Sequence, residues 1–299
     1  MPEERLKNKA WKEVGSKFSH ITSVHPCYNE EAHFKSARIH LPVAPKCNIQ
    51  CKFCSRGLDK CAYRPGTYSH LLKPKEALER VREAREKYKT LKVVGIAGPG
   101  EPLFNIETFE TMGLVNKEFP ELYKCIASNG LLLPKKIDML KEANVGSITV
   151  TINGIDPIVV SQIVSWVIYE GKLYDGEKGA RKLIENQLKG IEVAVEAEMA
   201  VKVNTVLIPG INTGQVGEIA REASERGAWI MNIIPLIPLN QFSDHEAPTC
   251  EDLKHAREVA GKYMKQFRLC KQCRADSCGI PGQEDHSRSR TFDSEYFHG

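Results

Sequence analysis

The chain of 299 residues is long enough for one large α/β core, and its 41% hydrophobic and 27% charged residues are typical of an ordinary globular protein. Its 42 basic and 38 acidic residues leave a net charge of only +4, which argues against nucleic acid as a partner. The first residues are charged and no apolar run reaches membrane-spanning length, so we expect a cytoplasmic protein without a membrane partner.

Apolar, β-branched runs alternate along the chain with longer amphipathic segments, which indicates repeated strand–helix units. The predicted strands, in chain order, are residues 38–44, 91–97, 123–128, 147–153, 201–208 and 229–236. The predicted helices between them include residues 74–88, 134–143, 179–197 and 214–228. Six such units predict a parallel sheet curled into a partial (βα)6 TIM-like barrel. We assign residues 37–240 to this barrel, 1–36 to an N-terminal extension, and 241–299 to a C-terminal extension with a polar tail.

Turns rich in Gly, Asn or Pro follow five of the predicted strands. They are CNIQCKFC (47–54), GPGEPLFN (98–105), SNG (128–130), NGID (153–156) and PGIN (209–212). The carboxyl ends of parallel barrel strands form the functional rim, so we expect the ligand site there.

Ten cysteines in a reducing compartment are expected to bind metal, act in catalysis or pack as thiols rather than pair as disulfides. We expect at least six to bind metal. Cys47, Cys51 and Cys54 lie on one short loop, where three thiolates suit three corners of a cubane cluster and leave the fourth iron open. A structural zinc site would need a fourth protein ligand, and zinc or plain packing stays as the alternative.

The CxxxCxxC spacing after the first strand resembles the radical S-adenosylmethionine (SAM) enzymes. This resemblance implies a [4Fe–4S] cluster whose open iron binds SAM, and cleavage of SAM by one electron. Phe53 matches the aromatic position beside the adenine. GPGEP resembles the family's glycine-rich segment, so Gly98, Gly100 and Glu101 become SAM-binding candidates, although Pro99 replaces the usual second glycine. By itself, GPGEP is equally typical of a plain turn.

A closer resemblance extends from about residue 25 to about residue 285. It is carried by HPCYNEEAH (25–33), ARIHLPVAPKCNIQCKFC (37–54), YRPG (63–66), CIASNGL (125–131), residues 150–176 and CKQCRAD (270–276). These segments resemble the radical SAM enzymes that build the iron–molybdenum cofactor of nitrogenase, in a short form without a carrier-like C-terminal domain. The resemblance implies that two [4Fe–4S] clusters, K1 and K2, are substrates fused into an eight-iron precursor. A carbide derived from SAM, by methyl transfer and hydrogen abstraction, and an added sulfide complete that precursor.

The same resemblance implies three [4Fe–4S] clusters in all, one of which binds SAM. It also implies partners, namely iron–sulfur cluster donor proteins, an electron donor such as ferredoxin, and a downstream cofactor scaffold or carrier. Further metal ligands are implied at Cys27, Cys61, Cys125, Cys270, Cys273 and His40, with His25 as an additional candidate. From the residues alone, Cys27, Cys61 and Cys125 are equally typical of buried thiols, and CKQC of a zinc or redox site. Cys250 and Cys278 match no such ligand, and we expect free thiols there.

Strand periodicity makes a separate prediction for His40. Arg38, His40 and Pro42 share one face of the first strand, whereas Ile39, Leu41 and Val43 share the other. The apolar face suits the helix layer, so His40 is predicted to point into the barrel. A lone barrel histidine is also typical of a hydrogen-bonded core residue; the resemblance implies instead a nitrogen ligand to K1 that protonation can release.

Small polar residues at the rim complete the candidate SAM site. They are Ser128, Asn129, Thr151, Asn153 and Asn204. Hydroxyls and amides there suit hydrogen bonds to ribose or carboxylate, and they suit equally the satisfaction of backbone groups in turns.

Two other functions fit parts of the pattern. One is a radical SAM enzyme with auxiliary clusters that acts on an organic or peptide substrate. The other is a metal or cluster carrier without enzymatic activity. The carrier predicts no cleavage of SAM, whereas the organic-substrate enzyme predicts cleavage without the methyl-transfer product.

Overall fold

The structure is a computed structural model that describes residues 18–283. The charged residues 1–17 and the predicted polar tail lie outside the described residues. The strands, in chain order, are β1 (Ala37–His40), β2 (Ile49–Cys51), β3 (Gly57–Leu58), β4 (Thr67–Tyr68), β5 (Leu91–Ile96), β6 (Tyr123–Ser128), β7 (Val145–Thr151), β8 (Val164–Tyr169), β9 (Lys172–Asp175), β10 (Ala200–Leu207), β11 (Ile230–Pro235) and β12 (Cys278–Gly279).

The helices are α1 (Ser19–Thr22), α2 (Glu30–His33), α3 (Pro74–Lys87), α4 (Ile106–Glu118), α5 (Leu133–Glu142), α6 (Pro157–Ile163), α7 (Gly176–Glu196), α8 (Val216–Glu225) and α9 (Cys250–Gly261). The helix α3 illustrates why these segments are helical. It has Pro74 in its first turn, and its buried residues Ala77, Leu78, Val81 and Ala84 recur at helical spacing. No helix among residues 18–283 is long and apolar enough to cross a membrane.

The main sheet has the order β11-β10-β7-β6-β5-β1-β12. The six strands from β11 to β1 pair in parallel, and β12 is antiparallel to β1. One face of these strands lines a common cavity, so the sheet curls into part of a barrel. The other face packs on the helices, with Ile39, Val94, Ile126 and Val203 in the buried core. The predicted partial (βα)6 barrel is confirmed, including all six parallel strands.

A second sheet, absent from the predicted elements, lies across the rim. Its order is β2-β8-β9, and both pairs are antiparallel. The β8–β9 turn at Glu170 and Gly171 has positive φ at both residues, as a two-residue hairpin turn requires. This sheet holds the residues that follow Cys47, because Ile49 pairs with Val167 and the amide of Ile168 donates to the carbonyl of Asn48.

Residues 264–279, here called the strap, cross from one edge of the curled sheet to the other. The strap pairs with β11 through Gln266 and Met231 and ends in β12, beside β1. Its middle is fastened to β4, because the amide of Ala275 donates to the carbonyl of Thr67. The strap therefore covers both edge strands, whose backbone groups would otherwise lack partners.

Candidate active site

The curled sheet encloses a cavity of about 360 Å³. Its wall is built from the inward residues of six strands, together with the loop after β1 and the strap. The lining includes Arg38, His40, Val93, Gly95, Cys125, Ala127, Thr149, Thr151, Lys202, Asn204, Val206 and Ile234. His40 lies on the inward face predicted for it, while Ile39 and Leu41 lie in the helix-facing core.

Cys47, Cys51 and Cys54 all line this cavity as partly buried, unpaired thiols. The loop that carries them is held by its backbone: Cys54 N donates to Cys51 O at 3.0 Å, and Lys52 N donates to Ile163 O at 2.8 Å. Burial raises the pKa of Cys47 to about 11 and that of Cys51 well above its usual value. Without metal these thiols are therefore protonated at neutral pH, and metal binding must release their protons.

Three thiols on one cavity wall fit a [4Fe–4S] cluster that keeps one iron without a protein ligand. Among the described residues, no three His, Cys, Asp or Glu side chains converge closely enough to hold a single metal ion. A cubane presents its irons at separate corners, so its ligands need not meet at one point. Phe53 lines the same cavity, and its ring centroid lies 6.5 Å from that of Phe242.

The GPGEP segment continues the pairing between β1 and β5 past their ends. The amide of Gly100 donates to Ala44 O at 2.6 Å, and that of Glu101 donates to Lys46 O at 2.8 Å. A Cβ at Gly100 would lie 2.3 Å from Lys46 O, so only glycine permits this approach. Gly100 and Glu101 line the cavity, whereas Gly98 is not among its lining residues.

Glu101 joins two rim turns. Its carboxylate accepts hydrogen bonds from Ser128 Oγ at 2.7 Å, Asn129 N at 2.7 Å and Leu103 N at 3.0 Å. Burial raises the pKa of Glu101 to about 7, against the lowering effect of these donors. Asn129 in turn donates to Asn48 Oδ1 at 2.8 Å, so this network reaches the cysteine loop.

The remaining rim candidates also line the cavity. Asn153 Oδ1 accepts from Val206 N at 2.9 Å, and Asn204 Oδ1 accepts from Asn232 Nδ2 at 3.1 Å. Ser128, Asn129 and Asn153 thus have turn-stabilising partners, and their predicted contacts with SAM stay predictions. Gln187, which the predictions omitted, donates to Asn129 O and Thr151 O at 2.8 Å and fixes two rim turns from α7.

Four further thiols line the cavity beyond the cysteine loop. Cys27 precedes α2, Cys125 lies on β6, and Cys270 and Cys273 lie on the strap. Burial raises the pKa of Cys27 to about 11 and also raises the pKa of Cys125. Seven of the eight cysteines predicted to be metal ligands therefore line the same cavity.

The ring of His40 is oriented by the strap. His40 Nδ1 lies 3.1 Å from Arg274 O, and because a carbonyl only accepts, Nδ1 carries the proton of the neutral ring. The lone pair is then on Nε2. In this tautomer Nε2 can bind a metal while Nδ1 donates its hydrogen bond, as is usual for histidine ligands. Gly95 lies opposite His40 on β5, and a Cβ there would lie 3.0 Å from His40 Cδ2.

His25 has the opposite tautomer. Its Nδ1 accepts the amide of Cys27 at 3.0 Å, so the neutral ring carries its proton on Nε2. Burial lowers the pKa of His25 well below 6.5, and the charges of Lys202, His40 and Arg38 lower it further. His25 lines the cavity, whereas His33 is not among its lining residues and its Nδ1 lies 2.8 Å from Pro26 O.

Three cysteines lie apart from the cavity wall. Cys61 is exposed, and its amide donates to Asp59 Oδ1 at 2.9 Å. Cys250 begins α9 and Cys278 lies on β12, and neither forms a disulfide; that they bind no metal stays a prediction.

Basic residues of the wall were missing from the predicted site. Arg56 and Arg64 lie beside Cys54, and Lys202 and Arg38 lie among the additional thiols. The alternation along β10 carried a usable signal for one of them, because Lys202 shares the inward face with Asn204, which was predicted.

The sequence profile of the radical SAM superfamily matches residues 41–223. Among solved structures, a radical SAM methyltransferase from Sphaerobacter thermophilus is similar, with a TM-score of 0.53, 20% identity, and coverage of 78% of this chain and 64% of that chain. Streptococcus suis SuiB is similar with a TM-score of 0.57, 13% identity, and coverage of 78% of this chain and 49% of that chain. Because the profile spans more than half of the sequence, the chain belongs to the radical SAM superfamily. Membership implies a [4Fe–4S] cluster and SAM as cofactors.

Similar curated proteins identify the family within this superfamily. FeMo cofactor biosynthesis protein NifB of Methanocaldococcus jannaschii is 51% identical over 267 residues, which cover 89% of each chain. The protein of the same name from Klebsiella pneumoniae is 41% identical over 279 residues, which cover 90% of this chain and 59% of that longer one. Within the superfamily, the chain therefore belongs to the NifB family.

Proposed function

We propose that this chain is a radical SAM enzyme that fuses two [4Fe–4S] substrate clusters, K1 and K2, into an eight-iron precursor of the nitrogenase cofactor. A carbide from SAM and an added sulfide enter during the fusion. The observation that carries the proposal is that the three-cysteine loop and four further thiols line the same cavity. In a radical enzyme with an organic substrate, the four further thiols would instead hold auxiliary clusters.

The residues of the cysteine loop have the first role. Cys47, Cys51 and Cys54 would hold the cluster, and Phe53, Gly100 and Glu101 would contact SAM. The predicted contact of Gly98 with SAM lacks this support, because Gly98 does not line the cavity. When bound, this pair of cofactors supplies one-electron cleavage of SAM. The chain's part is to orient SAM through the rim turns, which Glu101 and Gln187 tie together.

The additional thiols have the second role, which is to hold the substrate clusters. Cys27, Cys125, Cys270 and Cys273 supply thiolates, and His40 Nε2 supplies a weaker nitrogen ligand that can be exchanged. Cys61 is exposed and does not line the cavity, so a ligand role for it requires residues 57–63 to move inward. The three clusters, the donor and carrier proteins, a ferredoxin-like electron donor and the cytoplasmic location belong to this proposal.

The test is product analysis with the chain reconstituted anaerobically with iron and sulfide. With dithionite and SAM, it should release 5′-deoxyadenosine and S-adenosylhomocysteine together, because carbide insertion needs both hydrogen abstraction and methyl transfer. Release of 5′-deoxyadenosine alone would favour the organic-substrate enzyme. Release of neither compound would favour the carrier.

A further inference from the structure

Positive charge is concentrated where the additional thiols lie. Lys202, only 6% exposed, lines the cavity from β10 with Nζ 5.4 Å from the ring centroid of Tyr28 and 5.8 Å from that of Phe267. Among residues 18–283, no carboxylate lies within ion-pair distance of its ammonium. Lys202 therefore places a buried cation on the wall without a protein counter-charge.

Arg38 places a second cation beside it. This residue is 1% exposed, and its guanidinium donates to Gly279 O at 2.8 Å and to Cys273 Sγ at 2.9 Å. The charges of both Lys202 and Arg38 lower the pKa of the Cys27 thiol, so both act on the same part of the cavity.

His25 adds a directed donor. It is 2% exposed, its Nδ1 is occupied by the amide of Cys27, and its Nε2 has no hydrogen-bond partner among the described residues. A buried N–H without a partner costs about 1–3 kcal/mol, so a partner is expected in the cavity that His25 lines.

An anionic ligand rich in acceptors would provide the missing partners of Lys202 and His25 and would also be attracted by the charge of Arg38. An iron–sulfur cubane held by thiolates carries net negative charge, and its sulfides accept hydrogen bonds. Such a ligand offsets the desolvation of the Lys202 ammonium, which has no carboxylate partner among the described residues.

We propose that Lys202, Arg38 and His25 form a cationic donor face that binds the sulfides of a substrate iron–sulfur cluster, with His25 as a donor rather than an iron ligand. The inference rests on the proposed function, in which the substrate is an anionic cluster. It deepens that function, because it separates the residues that ligate iron from those that neutralise the charge of the cluster.

The first experiment compares Lys202→Met with Lys202→Arg in the anaerobically reconstituted chain. The control is Lys92→Met, at an exposed lysine on β5. Two quantities are measured, namely the iron retained after desalting and the midpoint potentials of the clusters in a titration followed by electron paramagnetic resonance. Lys202→Met should lose the iron of the substrate clusters and keep the iron of the loop cluster. The midpoint potential of any substrate cluster that remains should be lower, because a nearby cation favours the reduced, more negative state. Lys202→Arg and Lys92→Met should match the unsubstituted chain.

The second experiment tests His25 and does not depend on the folding of the Lys202 variants. His25→Gln keeps both an acceptor for Cys27 N and a donor toward the cavity, whereas His25→Phe removes both. We expect His25→Gln to retain iron and His25→Phe to lose it. In pulsed electron paramagnetic resonance, coupling of a substrate cluster to a histidine nitrogen should persist in His25→Gln and disappear in His40→Ala.

Two results would overturn the inference while leaving the proposed function intact. One is iron content and potentials in Lys202→Met equal to those of Lys92→Met. The other is nitrogen coupling that disappears in His25→Gln and persists in His40→Ala. If the unsubstituted chain itself retains only the iron of the loop cluster, the proposed function fails and this inference fails with it.

Discussion

At the scale of single residues, Cys51 gives the clearest expectation. Cys51 is one of the three thiols on the loop that would hold the cluster. With only two protein ligands left, we expect the chain to lose the cluster and with it the iron that binds SAM. Cys51→Ala should bring 5′-deoxyadenosine below detection in the product assay, while Cys250→Ala, at the exposed start of α9, should match the unsubstituted chain. Full formation of 5′-deoxyadenosine by Cys51→Ala would mean that the loop does not hold the cluster that cleaves SAM.

Glu101 makes the stability of the metal-free chain depend on pH. Its folded-state pKa of about 7 lies above the ordinary 4.5, so the folded chain binds this proton more tightly than the unfolded chain. The stabilising contribution is complete below pH 4.5 and is lost as the pH rises through 7. The difference corresponds to about 3 kcal/mol.

Urea unfolding of the unsubstituted chain and of Glu101→Gln, at several pH values, measures this dependence. Relative to Glu101→Gln, the free energy of unfolding of the unsubstituted chain should fall by about 3 kcal/mol between pH 4 and pH 8. Glu110→Gln, at an exposed carboxyl on α4, is the control and should show no such difference. Parallel pH profiles for Glu101→Gln and the unsubstituted chain would mean that this carboxyl titrates normally.

At the scale of elements, the pairing of β1 with β5 sets the position of His40. Gly95→Ala would add a Cβ 3.0 Å from His40 Cδ2 and force the ring to move. We expect a loss of about 1–3 kcal/mol in the free energy of unfolding and loss of the histidine nitrogen coupling of the substrate cluster. Gly113→Ala, on α4 with no atom within 4 Å of the added Cβ, should keep that coupling and be at least as stable. Unchanged coupling in Gly95→Ala would show that the ring has room.

The strap depends on Asp276. Its carboxylate accepts from Ser69 N at 2.7 Å and Ser69 Oγ at 2.6 Å, and it pairs with Arg274 Nε at 2.8 Å. Asp276→Ala leaves the buried guanidinium of Arg274 without this partner, which should cost about 3 kcal/mol. Hydrogen exchange should become faster across residues 264–279 and stay unchanged in Asp138→Ala, at an exposed residue of α5. Equal protection in both variants would mean that the strap is held by other contacts.

The sequence predicted the parallel strands of the barrel but missed the β8–β9 hairpin and the strap. The parallel strands followed from their apolar, β-branched runs, and the inward face of β1 followed from its alternation. The β8–β9 hairpin was missed because no element was predicted between residues 157 and 178, although Glu170 and Gly171 form the turn. The strap was missed because its position depends on long-range pairing with β11 and β1, which no local pattern encodes.

At the scale of the whole molecule, one cavity joins the three-cysteine loop to the thiols of three separate chain segments. Spacing identified the loop, because its ligands are close in sequence. Sequence spacing did not predict that Cys27, Cys125 and Cys273 lie in the same cavity, because the N-terminal segment, β6 and the strap meet only after folding. Strand alternation placed Lys202 and Arg38 on the inward faces of β10 and β1, but their closeness to these thiols was visible only in the folded chain.

Iron anomalous scattering from anaerobically grown crystals of the reconstituted chain would locate each cluster relative to the cysteines. We expect strong iron density at the loop of Cys47, Cys51 and Cys54, and separate iron density in the same cavity beside His40, Cys27 and Cys125. Iron density at the loop alone, with no iron among the additional thiols, would contradict this expectation.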